Sequence, residues 1–356
     1  MFKFKKWLSN VHRVKNQRIN HDIEALRLDK SERAIHFPPE HFRHFIESIK
    51  QEDVLSYPNP SMLIDEIAKF HNLKENQVFI TPGSDIGIKT FFEIAVNYGD
   101  KVIITDPCFP MFNVYGDLFG ANLVKIGYKE NLKLDIEKLC KSINKEVVLV
   151  ALANPISPIG DYISHKEILR IAEKCQKLSI PFLIDEAYFE YSPGSSIGLI
   201  NQYDNVAIMR TFSKAPGAAG LRIGYVVADS SLINILSKWR QMYEVNQLGV
   251  KYAIHSLKNI EVTSEYAQLV IQEREKITKL LNGKNVDVIS SNTNWIHMHF
   301  KNKNNQAISI LNKYNVLFKK DTKIPFDDRD DFIRISICPD MSKMDFFNDL
   351  FALLEN

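Results

Sequence analysis

Phe182-Leu183-Ile184-Asp185-Glu186-Ala187-Tyr188 is a short apolar run that ends abruptly in two acids. An apolar strand without polar alternation is buried on both faces, the pattern of a strand inside a mostly parallel sheet. Its end then puts Asp185 at the carboxyl edge of that sheet, where α/β folds bind ligands. A loop carboxylate capping the next helix is the alternative for a lone Asp. Outward from this strand (Pro181–Ile184), similar runs recur at Val78–Thr81, Lys101–Thr105, Val147–Leu152, Val206–Arg210 and Gly224–Ala228. Helical stretches such as Ile86–Asn97 and Ser164–Lys177 lie between them. That alternation, over residues 76–230, predicts an α/β layer fold with helices on both sides of the sheet. Beyond residue 230 the texture changes. A charge-rich helical stretch from Ser231 to Leu281 precedes strands near Trp295–Phe300 and Phe332–Ile337 and an amphipathic helix from Lys343 to Leu354. Together these predict a smaller α+β domain.

Composition narrows the function class. The 356 residues carry 45 Lys+Arg against 43 Asp+Glu, a net charge of +2, which argues against a dedicated nucleic-acid binder. No apolar run reaches the length of a membrane span. Cys108, Cys140, Cys175 and Cys338 are widely spaced and form no CxxC pair, so neither a zinc signature nor a disulfide framework is present, and a reducing cytoplasm is expected. The one charge asymmetry is at the start. Residues 1–20 hold Lys3, Lys5, Lys6, Arg13, Lys15 and Arg18 and no acid. No apolar h-region follows, so a secretory leader is not expected. A transit peptide and an amphipathic surface helix using Phe2, Phe4, Trp7, Leu8 and Val11 are alternatives to an appended arm that touches a second subunit.

Two further stretches could carry chemistry. Thr81-Pro82-Gly83-Ser84-Asp85 joins a predicted strand to a predicted helix. A small-residue turn of this kind offers free N–H groups and the positive end of a helix dipole to a phosphate, although it is also an ordinary helix start. Thr211-Phe212-Ser213-Lys214, continuing to Arg222, surrounds one lysine with small and hydroxyl residues. A lysine in such surroundings suits Schiff-base chemistry.

Taken with Tyr57-Pro58-Asn59-Pro60, Asn154-Pro155-Ile156-Ser157-Pro158-Ile159-Gly160 and the Ser213-Lys214-x7-Arg222 spacing, these segments stand in one order. The series resembles the fold-type I pyridoxal-phosphate (PLP) aminotransferases, most closely the histidinol-phosphate aminotransferase branch, from about Leu26 to the C-terminal helix. The resemblance implies an aspartate aminotransferase-like fold with a basic arm (1–25), an N-terminal part of a small domain (26–45), a large PLP-binding domain (46–250) and a small C-terminal domain (251–356). It implies that Lys214 carries PLP and later moves the substrate proton, that Asp185 pairs with the ring nitrogen, and that Tyr188 bonds the ring's 3-oxygen. The phosphate would sit on the backbone at Gly83, Ser84 and Asp85, with donors from Thr211, Ser213 and Arg222. Phe109 would stack on the ring unless it is a core Phe behind Pro107. Tyr57 would reach the phosphate of a second subunit, implying a homodimer with shared sites. Arg334, in an apolar run, would clamp the substrate carboxylate.

The sequence also departs from that pattern. Ser157 stands where the branch has the Asn that contacts the ring's 3-oxygen. Phe109 replaces a common Tyr, and Cys338-Pro339 follows the Arg334 strand in place of Gly-Thr. Leu28-Asp29-Lys30-Ser31-Glu32-Arg33 occupies the N-terminal substrate loop, and a second substrate-facing arginine falls on Lys319 or Lys320, with Lys320 taken as the candidate. Cofactor residues are kept while substrate-facing ones drift, as in a specialised paralogue. The expected reaction is ping-pong transfer of an amine from an amino acid, expected to be glutamate, to a small anionic keto acceptor, phosphorylated or not. The alternative is decarboxylation of an O-phospho amino acid. A transcription regulator on this fold would need a DNA-binding domain in front, for which about 25 residues are too few.

Overall fold

A seven-stranded sheet forms the centre of the computed structural model, which describes residues 5–11, 24–322 and 324–355. Its strands are β1 (Val78–Thr81), β2 (Lys101–Thr105), β3 (Asn122–Ile126), β4 (Val147–Ala153), β5 (Phe182–Asp185), β6 (Val206–Thr211) and β7 (Gly224–Ala228). In space they run β1-β7-β6-β5-β4-β2-β3, and only the two pairings made by β7 are antiparallel. Every residue of β5 and β6 is buried. Leu149, Ala151 and Leu183 enter the core on one face, while Val150, Leu152 and Ile184 enter the core on the other. That double burial is why these strands read as unbroken apolar runs. The observed β5 begins one residue after the expected strand and ends on Asp185 itself.

Around the sheet lie α1 (Pro39–Glu47), α2 (Ser61–His71), α3 (Gly83–Ala95), α4 (Pro110–Phe119) and α5 (His165–Gln176). The start of α5 is a capping box: Ser164 and Glu167 each accept the other's backbone N–H. The stretch expected as one helical region is three helices, α6 (Ser230–Ser237), α7 (Gln247–Lys258) and α8 (Ile260–Leu281). Asparagines divide it. The Asn246 side chain accepts from Gly249 N at 2.7 Å to start α7, and Asn259 separates α7 from α8.

The second sheet is antiparallel, with strands β8 (Asp287–Ile289), β9 (Trp295–His299), β10 (Lys319–Thr322) and β11 (Phe332–Ser336) in the order β10-β11-β9-β8. Ile296, Met298, Ile333 and Ile335 pack with residues of α8 and of the last helix, α9 (Asp345–Leu353), in a separate core. Helix α9 starts two residues later than expected, after a 3-10 turn at Met341–Lys343.

The chain's beginning is stitched to its end. Leu26–Arg27 pairs in parallel with Val316–Leu317, and Ser336 N donates to Leu28 O at 2.9 Å. Further forward, Lys6–Asn10 forms a 3-10 turn whose Trp7 lies 4.7 Å from the Tyr98 ring and donates to Leu118 O of α4. The described part of the basic arm thus packs on its own chain. Phe2, Phe4, Arg13, Lys15 and Arg18 lie outside the described residues. Among the described residues, no helix is long and apolar enough to cross a membrane.

Candidate active site

The carboxyl ends of β4, β5 and β6 open onto a cavity of about 120 Å³. It is lined by Ser84, Asp85, Phe109, Ser157, Asp185, Tyr188, Thr211, Ser213, Lys214 and Arg222, with Ala153 and Ala187 between them. Residues up to 138 positions apart in sequence are thereby brought to one sheet edge, because each follows the end of a strand. The two alanines were missed by sequence reading. They carry no chemical signal, and their small size leaves space rather than filling it.

One end of the cavity is built for an anion. Strand β1 turns through Pro82 into α3, whose first residue, Gly83, has φ +76. A Cβ there would stand 2.8 Å from Arg222 Nη2, so this turn needs glycine both for its backbone and for the approach of the guanidinium. Arg222 Nη1 donates to Ser213 Oγ at 3.3 Å, and Thr211 Oγ1 donates to the same oxygen at 3.0 Å. The Asp85 carboxylate is turned aside, accepting from Tyr115 Oη at 2.8 Å. What remains at the head of α3 is backbone N–H, two hydroxyls and one guanidinium, all donors suited to a phosphate.

Opposite stands a carboxylate with one oxygen lacking a partner. Asp185 is buried, and its Oδ1 makes no hydrogen bond. Burial pushes its pKa up to about 7, opposed by the Ala187 backbone N–H and the Lys214 charge. An orphaned buried oxygen costs free energy unless a ligand supplies a donor. Glu186, the next residue, points elsewhere. It is buried against Arg210, whose Nη2 lies 2.9 Å from Glu186 Oε2. Lys214 Nζ lies 5.1 Å from the Tyr188 ring centre and donates to Lys30 O at 3.1 Å. Asn154, in the same motif as Ser157, closes its own loop by exchanging hydrogen bonds with the Ile163 backbone. Ser157, not Asn154, lines the cavity.

The second sheet meets this cavity through aromatic contacts. Trp295 stands edge-on to Tyr188 at 4.6 Å and donates from Nε1 to Pro158 O. The Arg334 guanidinium lies 5.0 Å from the Trp295 ring centre and donates to Asp29 O at 3.4 Å. Burial holds Arg334 below its ordinary pKa. Strand register decides which lysine accompanies it. Lys319 is the cross-strand partner of Arg334, and the register shifts by a bulge between Lys319 and Thr322. Of the two lysines named from the sequence, Lys319 is thus the one opposite Arg334, and Lys320, the candidate, follows it in the irregular stretch. Desolvation and the Arg334 charge both lower the Lys319 pKa. His297 pairs with Arg334 on the other side, fully buried, with neither ring nitrogen bonded. Burial, then Arg334 and Lys319, lower its pKa to about 3, so it is neutral. Sequence reading passed over this histidine because it sits inside an apolar strand.

The expectation for Arg33, placed in the substrate loop, changes. Arg33 is committed to packing. Its guanidinium lies 4.0 Å from the Tyr266 ring centre and 4.8 Å from that of Phe37, and it donates to Ala215 O. Tyr57 is outside its own chain's cavity, 75% exposed and stacked on Tyr243 at 4.0 Å.

The sequence profile of the aminotransferase class I and II family matches residues 28–347, the whole span that builds this site. The chain belongs to the class I and II aminotransferases. It is 31% identical over 293 residues to the histidinol-phosphate aminotransferase of Caldanaerobacter subterraneus subsp. tengcongensis, covering 80% of this chain and 82% of that one. Its fold is similar to that of the histidinol-phosphate aminotransferase from Sinorhizobium meliloti in complex with pyridoxal-5'-phosphate, with a TM-score of 0.79 at 24% identity, over 92% of this chain and 89% of that chain. It is also similar to L-threonine-O-3-phosphate decarboxylase from Porphyromonas gingivalis, with a TM-score of 0.78 at 19% identity, over 93% of this chain and 100% of that chain. The cofactor of this aminotransferase is pyridoxal phosphate. The donor set at Gly83, Ser213 and Arg222 fits its phosphate, and the unpartnered Asp185 oxygen fits its ring nitrogen.

Proposed function

We propose that this enzyme transfers the amine of an amino acid, glutamate being the expected donor, to a small anionic keto acceptor by ping-pong turnover. The observation that carries this reading is the orphaned Asp185 oxygen in the same cavity as Lys214 and the donor set at the head of α3. Pyridoxal phosphate supplies an electron sink that makes the substrate's Cα–H acidic. The protein does the rest. Lys214 is the covalent anchor and then the base that moves the proton from Cα. Asp185, raised toward neutrality by burial, ionises against the protonated ring nitrogen and holds it protonated. Tyr188 and Ser157 would donate to the ring oxygen, Phe109 would face the ring, and Ser84, Thr211, Ser213 and Arg222 would hold the phosphate. Arg334 receives the substrate carboxylate in a two-pronged grip, and Lys319 beside it favours a second negative charge on the substrate.

A homodimer completes this reading. Tyr57 is 75% exposed, and Val54, Leu55, Met62, Trp239 and Met242 are also exposed, an apolar surface suited to a second copy whose cavity Tyr57 would enter. The four buried, unbridged thiols suit a reducing cytoplasm.

Purified enzyme is expected to show a cofactor absorbance band that Lys214→Ala abolishes, and to move ¹⁵N from labelled glutamate to an added keto acid. A second reading is favoured by the cation row itself. Lys319 beside Arg334 would offer a substrate carboxylate a second cation, and a carboxylate drawn to it would be the group released as carbon dioxide in place of the Cα proton. Release of carbon dioxide from O-phosphothreonine without nitrogen transfer would select that reading and sink the first.

A further inference from the structure

Behind the cofactor site lies a second cavity of about 310 Å³, within the size range of small-molecule sites. Thr211 lines both cavities, so the end of β6 is their common wall. The far wall is the junction of α7 and α8, from Ser256 to Gln268. Phe70, Phe189, Phe212, Leu257 and Ala267 make most of the lining apolar. Within it stands Glu190, whose Oε2 is buried and makes no hydrogen bond.

We propose that this cavity binds a small neutral molecule with an apolar ring-sized body and one hydrogen-bond acceptor, held by Glu190. The charges around the cavity select neutrality. Arg210 is already spent, donating to Glu186 and Ser195 and lying 3.4 Å from the Phe189 ring centre. An incoming anion would lose its water in a mostly apolar cavity whose one lining cation, Arg210, is already paired with Glu186, and an incoming cation would meet Arg210 after losing its water to an aromatic wall. Burial pushes Glu190 up to about 8, so at neutral pH it carries a proton that it can donate. The other groups facing it do not titrate near neutrality: His71, bonded to Tyr225 at 2.8 Å, is lowered to about 3, and Tyr225 is raised to about 12, both by burial. A ligand here would press on Pro216, in the loop that carries Lys214, and on the α7–α8 junction together. That makes the site an effector site rather than a second substrate site, and it stands independently of which reaction the enzyme runs.

The test is titration of the full-length, cofactor-loaded enzyme with acetophenone, alongside toluene, benzoate and phenethylammonium, by ligand-observed NMR. Acetophenone is expected to bind saturably in the millimolar range and about tenfold more tightly than toluene, the margin of one hydrogen bond. Glu190→Leu should erase that margin, and the affinity should fall as pH rises through 8. Ser264→Trp, on the exposed rim, and Ala267→Phe, inside, should each weaken binding at least about tenfold. No saturable binding of acetophenone, binding undiminished in both occluding variants, or tighter binding of either ion would overturn the proposal.

Discussion

Asp185 is the last residue of β5, and its position there sets a pH dependence. A carboxyl raised by burial from 3.8 to about 7 is cheapest to bury when protonated. Its contribution to stability is therefore complete below about pH 4 and is lost as pH rises through 7. In cofactor-stripped protein, wild type should lose up to about 4 kcal/mol relative to Asp185→Asn between those limits, as read by urea unfolding across pH. Loading the cofactor should remove most of that difference, since the ring nitrogen gives the ionised form a partner. The same Asn variant should bind cofactor yet lose on the order of 10²–10³ in kcat, because a neutral amide cannot hold the ring protonated. Equal pH profiles for the two stripped proteins would contradict the assignment.

Lys319 is paired with Arg334 across the strands and feels its charge, while Lys320 falls in the bulged stretch that follows, and this favours Lys319 as the substrate-facing cation. Lys319→Ala is expected to raise KM for an anionic acceptor by about 10-fold to 100-fold, the worth of a charge-assisted hydrogen bond. Lys320→Ala should leave KM within about twofold. A steady-state comparison of the two variants checks this, and a larger effect from Lys320 would refute the register argument. The sequence could not separate them because β10 is an edge strand of charged residues with no apolar alternation to reveal its phase. For the same reason the mixed burial of edge strand β3 hid it, whereas the doubly buried β4, β5 and β6 were legible as continuous apolar runs. Most of the candidate site was legible because its residues follow those strands. His297 and Ala187 were not, one being inside an apolar run and the other carrying no functional group. The breaks before α7 and at Asn259 were not read, because helical texture continues on either side of them.

At the scale of the whole molecule, residues 26–34 bind the parts together. Asn294 donates to Ser31 O, Ala34 N donates to Tyr266 Oη, and Arg33 donates to Ala215 O beside Lys214. These contacts span up to 263 positions, and no local pattern in a sequence announces such pairings. Arg33→Ala should cost about 2–3 kcal/mol in denaturant unfolding, through lost packing on Tyr266 and Phe37 as much as through lost charge. Arg33→Lys should recover only part of it, since an ammonium does not stack as a planar guanidinium does. A change below about 0.5 kcal/mol in Arg33→Ala would show that the segment is held without it.

The same stitching has a consequence for synthesis. Translation delivers Leu26–Leu28 before any strand of the large sheet, yet their backbone partners, Val316–Leu317 and Ser336, come after all of them. The large sheet can assemble while the ribosome is still at work, but the segment that passes Lys214 must wait for these backbone partners until the second sheet has been made. Catalytic competence is thus timed to the synthesis of β11: a polypeptide truncated before it would own Lys214, Asp185 and Arg222 and still lack Arg334 and the backbone donor for Leu28.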